Sequence, residues 1–170
     1  MVIPPVKVYL ALGSNLGDRR AHLDCALSAL SQKGEIVEVS SLWETDPVGY
    51  TDDRPYLNMA CSYRTQLRPE ALRLFAEATE LRCGRKGKSS PVSGYAAREI
   101  DIDIIFYSDK VIATEDLIVP HPRAELRSFV LFPLREIAPD FVHPVLGSTV
   151  RDLAEKVPGG ALGIKQYDGA

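Results

Sequence analysis

Asp101 and Asp103, with only Ile102 between them, are the residues of this chain whose type and spacing point most directly to chemistry. The run from Ile100 to Tyr107 is rich in isoleucine and aromatics, as a strand is, and residues two apart in a strand face the same way, about 6.6 Å apart at Cα. Two carboxylates side by side in a partly buried site repel each other, and a hard cation such as Mg2+ relieves that repulsion through oxygen ligation. Two such ions about 3.5–4 Å apart would clamp a phosphoryl group during in-line displacement. Ile100, Ile102 and Ile104 take the opposite face and belong to the core. Taken alone, an Asp-x-Asp pair is more often the solvated face of an edge strand, so its neighbours decide.

Arg82, Arg85, Lys86, Lys88 and Arg98 precede the pair, threaded with Gly84, Gly87 and Gly94. A glycine-rich cationic lid beside a carboxylate and metal site suits a polyphosphate, because arginine forks engage phosphate oxygens bidentately and ion pairs strengthen as water leaves. Alone, such a stretch reads as a solvated loop. It offers only Tyr95 for stacking, and the chain carries a net charge of −3 with a pI near 5.6, so nucleic acid is not expected as a partner. His121 lies between Pro120 and Pro122 with Arg123 and Arg127 close by, a rigid setting for a phosphate ligand. His22 and His143 read as structural or surface residues.

The elements that must position these groups follow from periodicity. Val6 to Leu12 predicts a strand that turns at Gly13. Asp18 can cap a helix whose apolar positions Leu23, Ala26, Leu27 and Leu30 recur at helical spacing up to Gly34. Glu35 to Thr45 predicts one strand and Tyr56 to Thr65 its antiparallel neighbour, the connection between them being longer than a hairpin requires. From Arg68 to Arg82, Ala71, Leu74, Phe75, Ala78 and Leu81 form a helical stripe with Pro69 in the first turn. The order βαββαβ is ferredoxin-like, an α+β arrangement on an antiparallel sheet. Lys110 to Val119 predicts a hairpin arm. Helices over Phe129 to Ile137 and Thr149 to Val157 would extend the core to a three-layer α/β/α sandwich.

Length and composition predict one domain over residues 1–170: 45% of the residues are hydrophobic and 25% charged, ordinary for a globular chain. Cys25, Cys61 and Cys83 are odd in number and lack CxxC spacing, which predicts neither a complete disulfide framework nor a zinc site. No export signal or membrane span is expected, so the expected setting is a reducing cytoplasm and the expected state a monomer.

Several blocks together resemble one family. Gly13-Ser14-Asn15-Leu16-Gly17-Asp18, Trp43-Glu44-Thr45-Asp46-Pro47-Val48-Gly49, Tyr56-Leu57-Asn58, Arg98-Glu99-Ile100-Asp101-Ile102-Asp103, Val119-Pro120-His121 and Phe129-Val130-Leu131-Phe132-Pro133-Leu134 resemble, in order, 6-hydroxymethyl-7,8-dihydropterin pyrophosphokinase of folate biosynthesis. The resemblance implies transfer of the β,γ-diphosphate of ATP to the pterin hydroxymethyl group with release of AMP, and two Mg2+ ions on Asp101 and Asp103. It implies catalytic roles for Arg85, Arg98, Asp101 and Asp103. ATP would be held by Glu80, Arg85, Arg98, Ile104, His121 and Arg127, and the pterin by Thr45, Val48, Tyr56, Asn58 and Phe129. Aromatic faces suit a flat heterocycle, and an asparagine amide offers its edge both a donor and an acceptor. The chain departs from the family on the nucleotide side, with Tyr95-Ala96-Ala97 where Trp-Gly-Pro is common, Pro122 where a tyrosine often follows the histidine, and Asp116 where a basic residue sometimes stands near the adenine.

Two other readings fit part of the pattern. A non-catalytic ferredoxin-like module binding a nucleotide or metal would explain the fold but not the convergence of acidic, basic and pterin-type residues. An Asp-x-Asp nucleotide-sugar transferase would need a larger scaffold.

Overall fold

The structure, a computed structural model, describes residues 2–46, 54–86 and 97–169. Its elements run β1 (Val6–Ser14), α1 (Arg19–Leu30), β2 (Gly34–Val39), β3 (Trp43–Thr45), β4 (Tyr56–Thr65), α2 (Pro69–Arg82), β5 (Asp101–Tyr107), β6 (Ile112–Ala113), β7 (Ile118–Val119), α3 (Ser128–Ile137), α4 (Val150–Lys156) and β8 (Ile164–Gln166). The antiparallel sheet has the order β5-β1-β4-β3-β8, with β2 on the other half of β4, and β6 and β7 form the separate hairpin arm. This is the ferredoxin-like arrangement, and the added helices make it a three-layer sandwich.

Two apolar layers follow from strand alternation. Val8, Leu10 and Leu12 of β1 meet Leu23, Leu30, Leu72 and Ile102 on the side of α1 and α2. Tyr9 and Ala11 face the other way, onto Val130 and Leu134 of α3 and Val150 of α4. Asp18 caps α1 as its sequence predicts, its carboxylate accepting from the Ala21 amide at 3.0 Å.

Four expectations change. The single strand expected over Glu35 to Thr45 is two strands. The register slips between Ile36 and Glu38, and the buried Ser40 hydroxyl accepts from the Ala60 amide, replacing a ladder bond where the chain bends. Strand β1 runs two residues past Leu12, and Gly13 and Ser14 pair with Asn58 and Leu57. The α2 stripe expected to be buried is not the one that packs: Leu74 and Leu81 are 53% and 64% exposed, whereas Leu72, Ala76, Thr79 and Glu80 are buried. That helix turns its semi-polar face inward because Glu80 finds partners there, as described below. Finally, Cys25 and Cys83 are joined by a disulfide with Cα atoms 5.9 Å apart, tying α1 to the end of α2 and leaving Cys61 as a buried free thiol. The odd cysteine count therefore no longer argues for a reducing compartment. Strand β8, which the sequence pattern does not predict, adds to the edge of β3. No helix among the described residues is long and apolar enough to cross a membrane.

The helix orientation is directly checkable. Leu72→Ala should lower unfolding free energy by about 2–5 kcal/mol, the range for emptying a well-packed leucine site, while Leu81→Ala should stay within about 0.5 kcal/mol. Similar losses for both in denaturant unfolding would reject the assigned face.

Candidate active site

Strand β5 is a sheet edge, and its residues alternate as the sequence predicts: Ile102 and Ile104 are buried against the α1 and α2 side, while Asp101 and Asp103 are half-buried on the α3 side. On β1, Asp101 lies opposite Gly13 and Asp103 opposite Ala11. These small partners leave open space above the carboxylates. Gly13 also allows a close approach on its other side, where an added Cβ would lie 2.8 Å from Asn58 Oδ1.

Three acids crowd this edge. Glu80 reaches in from the last turn of α2, where its Oε1 accepts from the Ile102 amide at 2.7 Å and its Oε2 pairs with Arg85. Arg85 also lies 3.4 Å from Asp101, and Arg98 Nη1 donates to Asp101 at 2.8 Å. Gly84, at a positive φ of 104°, turns the chain off the helix so that Arg85 can fold back. Arg98 is itself held from the residue just after β1: its amide donates to Asn15 Oδ1 at 2.7 Å, and its carbonyl accepts from the Asn15 amide at 3.0 Å.

Charge sets the protonation of the cluster. Burial, reinforced by the Asp101 and Glu80 carboxylates, pushes Asp103 up to about 7. Burial together with Asp101 pushes Glu80 up to about 7. Asp101 carries the arginine contacts, whereas among the described residues the Asp103 carboxylate accepts no hydrogen bond. A pair of hard oxygen donors, one without a donor and both facing open space, suits a divalent cation bridged to phosphate oxygens. The described residues contain no group of three or more His, Cys, Asp or Glu side chains that could cage a metal by themselves. A cation here would therefore complete its shell from substrate or water.

His121 follows the cis Val119-Pro120 peptide, and its amide donates to Ile105 on the free edge of β5 at 3.0 Å. Burial, then the Arg127 and Arg123 charges, lowers its pKa to about 4, so the ring is neutral at physiological pH. Its Nδ1 accepts from the Arg123 amide at 3.3 Å, which places the ring proton on Nε2 as a neutral donor.

Two clefts meet at this cluster. One, on the α3 side, is lined by Gly13, Thr45, Tyr56, Asn58 and Phe129. The other wraps the edge of β5 toward α2 and is lined by Glu80, Arg85, Ile104, the hairpin arm, including Asp116, and Pro122 beyond it. Arg98, Asp101, Asp103 and His121 border both. In the first cleft Asn58 Nδ2 donates to Thr45 Oγ1 at 2.8 Å, giving its wall a fixed polar edge.

The residues assigned from the sequence thus converge, with one shift: Arg127, expected with the nucleotide group, lines the first cleft. Val48, Tyr95 and most of the expected lid lie outside the described residues. Sequence reasoning gave no role to Asp46, which lines the first cleft, or to Arg73, which lines the second; Arg123, expected beside His121 as a phosphate setting, lines the first cleft. It also passed over Asn15 as the bracket of Arg98, for which the Gly-Ser-Asn turn was the available signal.

The chain matches the family model for 7,8-dihydro-6-hydroxymethylpterin-pyrophosphokinase over residues 9–139. It is 38% identical over 145 residues to the 2-amino-4-hydroxy-6-hydroxymethyldihydropteridine pyrophosphokinase of Aquifex aeolicus, a match covering 85% of this chain and 88% of that protein. It is 40% identical over 151 residues to the folic acid synthesis protein fol1 of Pneumocystis carinii, covering 88% of this chain but only 20% of that much longer protein. Among solved structures, a Plasmodium falciparum HPPK-DHPS double mutant with pterin and p-hydroxybenzoate superposes with a TM-score of 0.72 at 16% identity, over 95% of this chain and 47% of that one, a likeness of fold alone.

The raised carboxyl pKa values carry a pH signature. Asp103 and Glu80 hold protons in the folded state that the unfolded chain gives up from about pH 4, so they make the metal-free protein less stable as pH rises from about 4 to about 7. His121 contributes with the opposite sign, since its lowered pKa adds stability as pH rises toward about 6.5. Comparing melting with and without Mg2+ at each pH cancels that term. The rise in melting temperature caused by Mg2+ should be larger at pH 8 than at pH 5, where protons compete for the ligands; an equal rise at both would refute a carboxylate metal site.

Proposed function

Because the chain belongs to the 7,8-dihydro-6-hydroxymethylpterin-pyrophosphokinase family, we propose that it transfers the β,γ-diphosphate of ATP to the hydroxymethyl group of 6-hydroxymethyl-7,8-dihydropterin, releasing AMP, as a step of folate biosynthesis. The observation that carries this reading is that two chemically different clefts share one pair of carboxylates. The pterin occupies the first cleft, its ring between Tyr56 and Phe129 and its polar edge on Asn58 and Thr45, with Val48 assigned to the same site from the family motif. ATP occupies the second, its phosphates on Arg85, Arg98 and His121 and its remainder against Ile104 and the hairpin arm, while Glu80 orients Arg85. Arg127, at the border of the first cleft, meets the diphosphate as it is transferred.

In the reaction the pterin hydroxyl oxygen bonds to the β-phosphorus, the bond from that phosphorus to the oxygen bridging it to the α-phosphate breaks, and AMP leaves with that oxygen. Asp103, whose carboxylate accepts no hydrogen bond among the described residues, accepts the hydroxyl proton. Arg98 and Arg85 balance charge on the transferred group, and neutral His121 donates Nε2–H to a phosphate oxygen without adding a proton to the site. Asp101 and Asp103 would hold two Mg2+ ions, which when bound supply Lewis acidity toward the phosphate and the hydroxyl. The chain's part is positioning and electrostatics, as expected for phosphoryl chemistry. A regulatory module that only bound nucleotide would have no use for the first cleft.

With ATP and Mg2+, AMP release should depend on added 6-hydroxymethyl-7,8-dihydropterin, and AMP formation indifferent to the pterin would sink the proposal. Asp101→Ala and Asp103→Ala should each lower turnover by roughly a hundredfold or more while keeping the far-ultraviolet circular dichroism of the parent, since the isoleucine face carries the packing. Retained turnover in either variant would remove that residue from the metal site.

A further inference from the structure

Arg19 is the first residue of α1, a helix with no acid in its first turn, so its charge opposes the helix dipole. Local stability therefore does not account for it. Its side chain, 22% exposed, crosses instead to the sheet. Nη2 pairs with Glu44 Oε2 at 2.9 Å, Nη1 donates to the Pro55 carbonyl at 3.0 Å, and the guanidinium lies 5.6 Å from the centre of the Tyr167 ring. Lys165 of β8 approaches Glu44 from the far side at 3.8 Å.

These contacts fall at both roots of the first cleft's wall. Glu44 is the middle residue of β3, a strand of three residues, so its neighbours point to the opposite face. There Trp43 Nε1 donates to Glu136 of α3 at 2.6 Å and packs edge-on against Phe132, while Thr45 lines the cleft. Pro55 is the residue before Tyr56, where β4 begins. One planar fork thus ties the strand bearing Thr45 to the start of the strand bearing Tyr56 and Asn58, from the face that Trp43 does not hold.

We infer that Arg19 is a positioning residue for the pterin pocket: the β3–β4 ladder already sets Thr45 opposite Tyr56, and Arg19 braces the open end of that pair through Glu44 and the Pro55 carbonyl, holding Thr45, Tyr56 and Asn58 in place around the ligand. This rests on the pterin reading of that cleft. The second cleft shares none of these contacts, so the role is selective for one substrate. A lysine could satisfy one of the two acceptors but not both in a plane, because it lacks the fork.

The test measures binding of 6-hydroxymethyl-7,8-dihydropterin and, separately, of a non-hydrolysable ATP analogue with Mg2+, in the parent chain and in Arg19→Gln, Arg19→Lys and Glu44→Gln. Arg19→Gln should weaken pterin binding about tenfold, the scale of one charge-assisted hydrogen bond, with ATP-analogue affinity within about twofold. Arg19→Lys should fall between, and adding Glu44→Gln to Arg19→Gln should cost less than the two single effects combined. Unchanged pterin affinity in folded Arg19→Gln, or equal loss for both ligands, overturns the inference; if Arg19→Gln does not fold, Arg19→Lys and Glu44→Gln decide by the same criterion. A parent chain that binds no pterin at all would overturn the functional reading itself, and is told apart because that failure needs no variant.

Discussion

Three carboxylates converge on one sheet edge, and their mutual repulsion is the constraint around which the rest of the site is arranged. Glu80 comes from a helix and Asp101 and Asp103 from a strand, and packing brings their charges into a partly buried space where like charges cannot all persist unaided. Arg85 and Arg98 balance part of that charge, the Ile102 amide satisfies one oxygen of Glu80, and protons take up the remainder near neutral pH. A site built this way is receptive to cations and, through the same arginines, to phosphates.

That arrangement also explains features of the scaffold that look costly. The inward face of α2 spends a buried position on Glu80, where an apolar residue would pack better, and leaves Leu81 in solvent. Strand β5 ends the sheet, and its outer backbone groups are met by side chain and loop in place of a further strand: the Glu80 carboxylate takes the Ile102 amide and the His121 amide takes the Ile105 carbonyl. Asn15 is buried to hold a single arginine by its backbone. The opposing layer is built to different ends. There Gly13 and Ala11 keep the floor low, and Thr45, Tyr56, Asn58 and Phe129 form a wall of aromatic rings and polar side chains.

Much of this was legible in the residues themselves. The βαββαβ order, the alternation around Asp101 and Asp103, the Asp18 cap, the hairpin arm and the two later helices all follow from short-range spacing, and spacing is what strands and helices read out. The parts that escaped are those in which a distant partner overrides a local pattern. Leu74 and Leu81 have the right period for a core stripe, yet the sheet accepts the adjacent face of α2 because the Ile102 amide and Arg85 are there for Glu80. Cys25 and Cys83 have no recognisable spacing, since their proximity comes from α1 lying beside α2. Strand β8 has weak strand character and exists because the edge of β3 offers unpaired backbone.

For the chemistry, the sequence by itself determined the donor set: a pair of aspartates two apart, the arginines before it, a proline-flanked histidine, and family motifs naming the substrates. Residue type fixes what a group can ligate or donate, and that information is local. Only the tertiary structure decided which groups share a cleft, that Arg127 lines the first and not the second, that among the described residues Asp103 accepts no hydrogen bond while Asp101 has arginines, and that Arg19 spans the roots of β3 and β4. Those are statements about distance and burial between residues far apart in the chain, and such distances are created by packing the two layers onto the sheet.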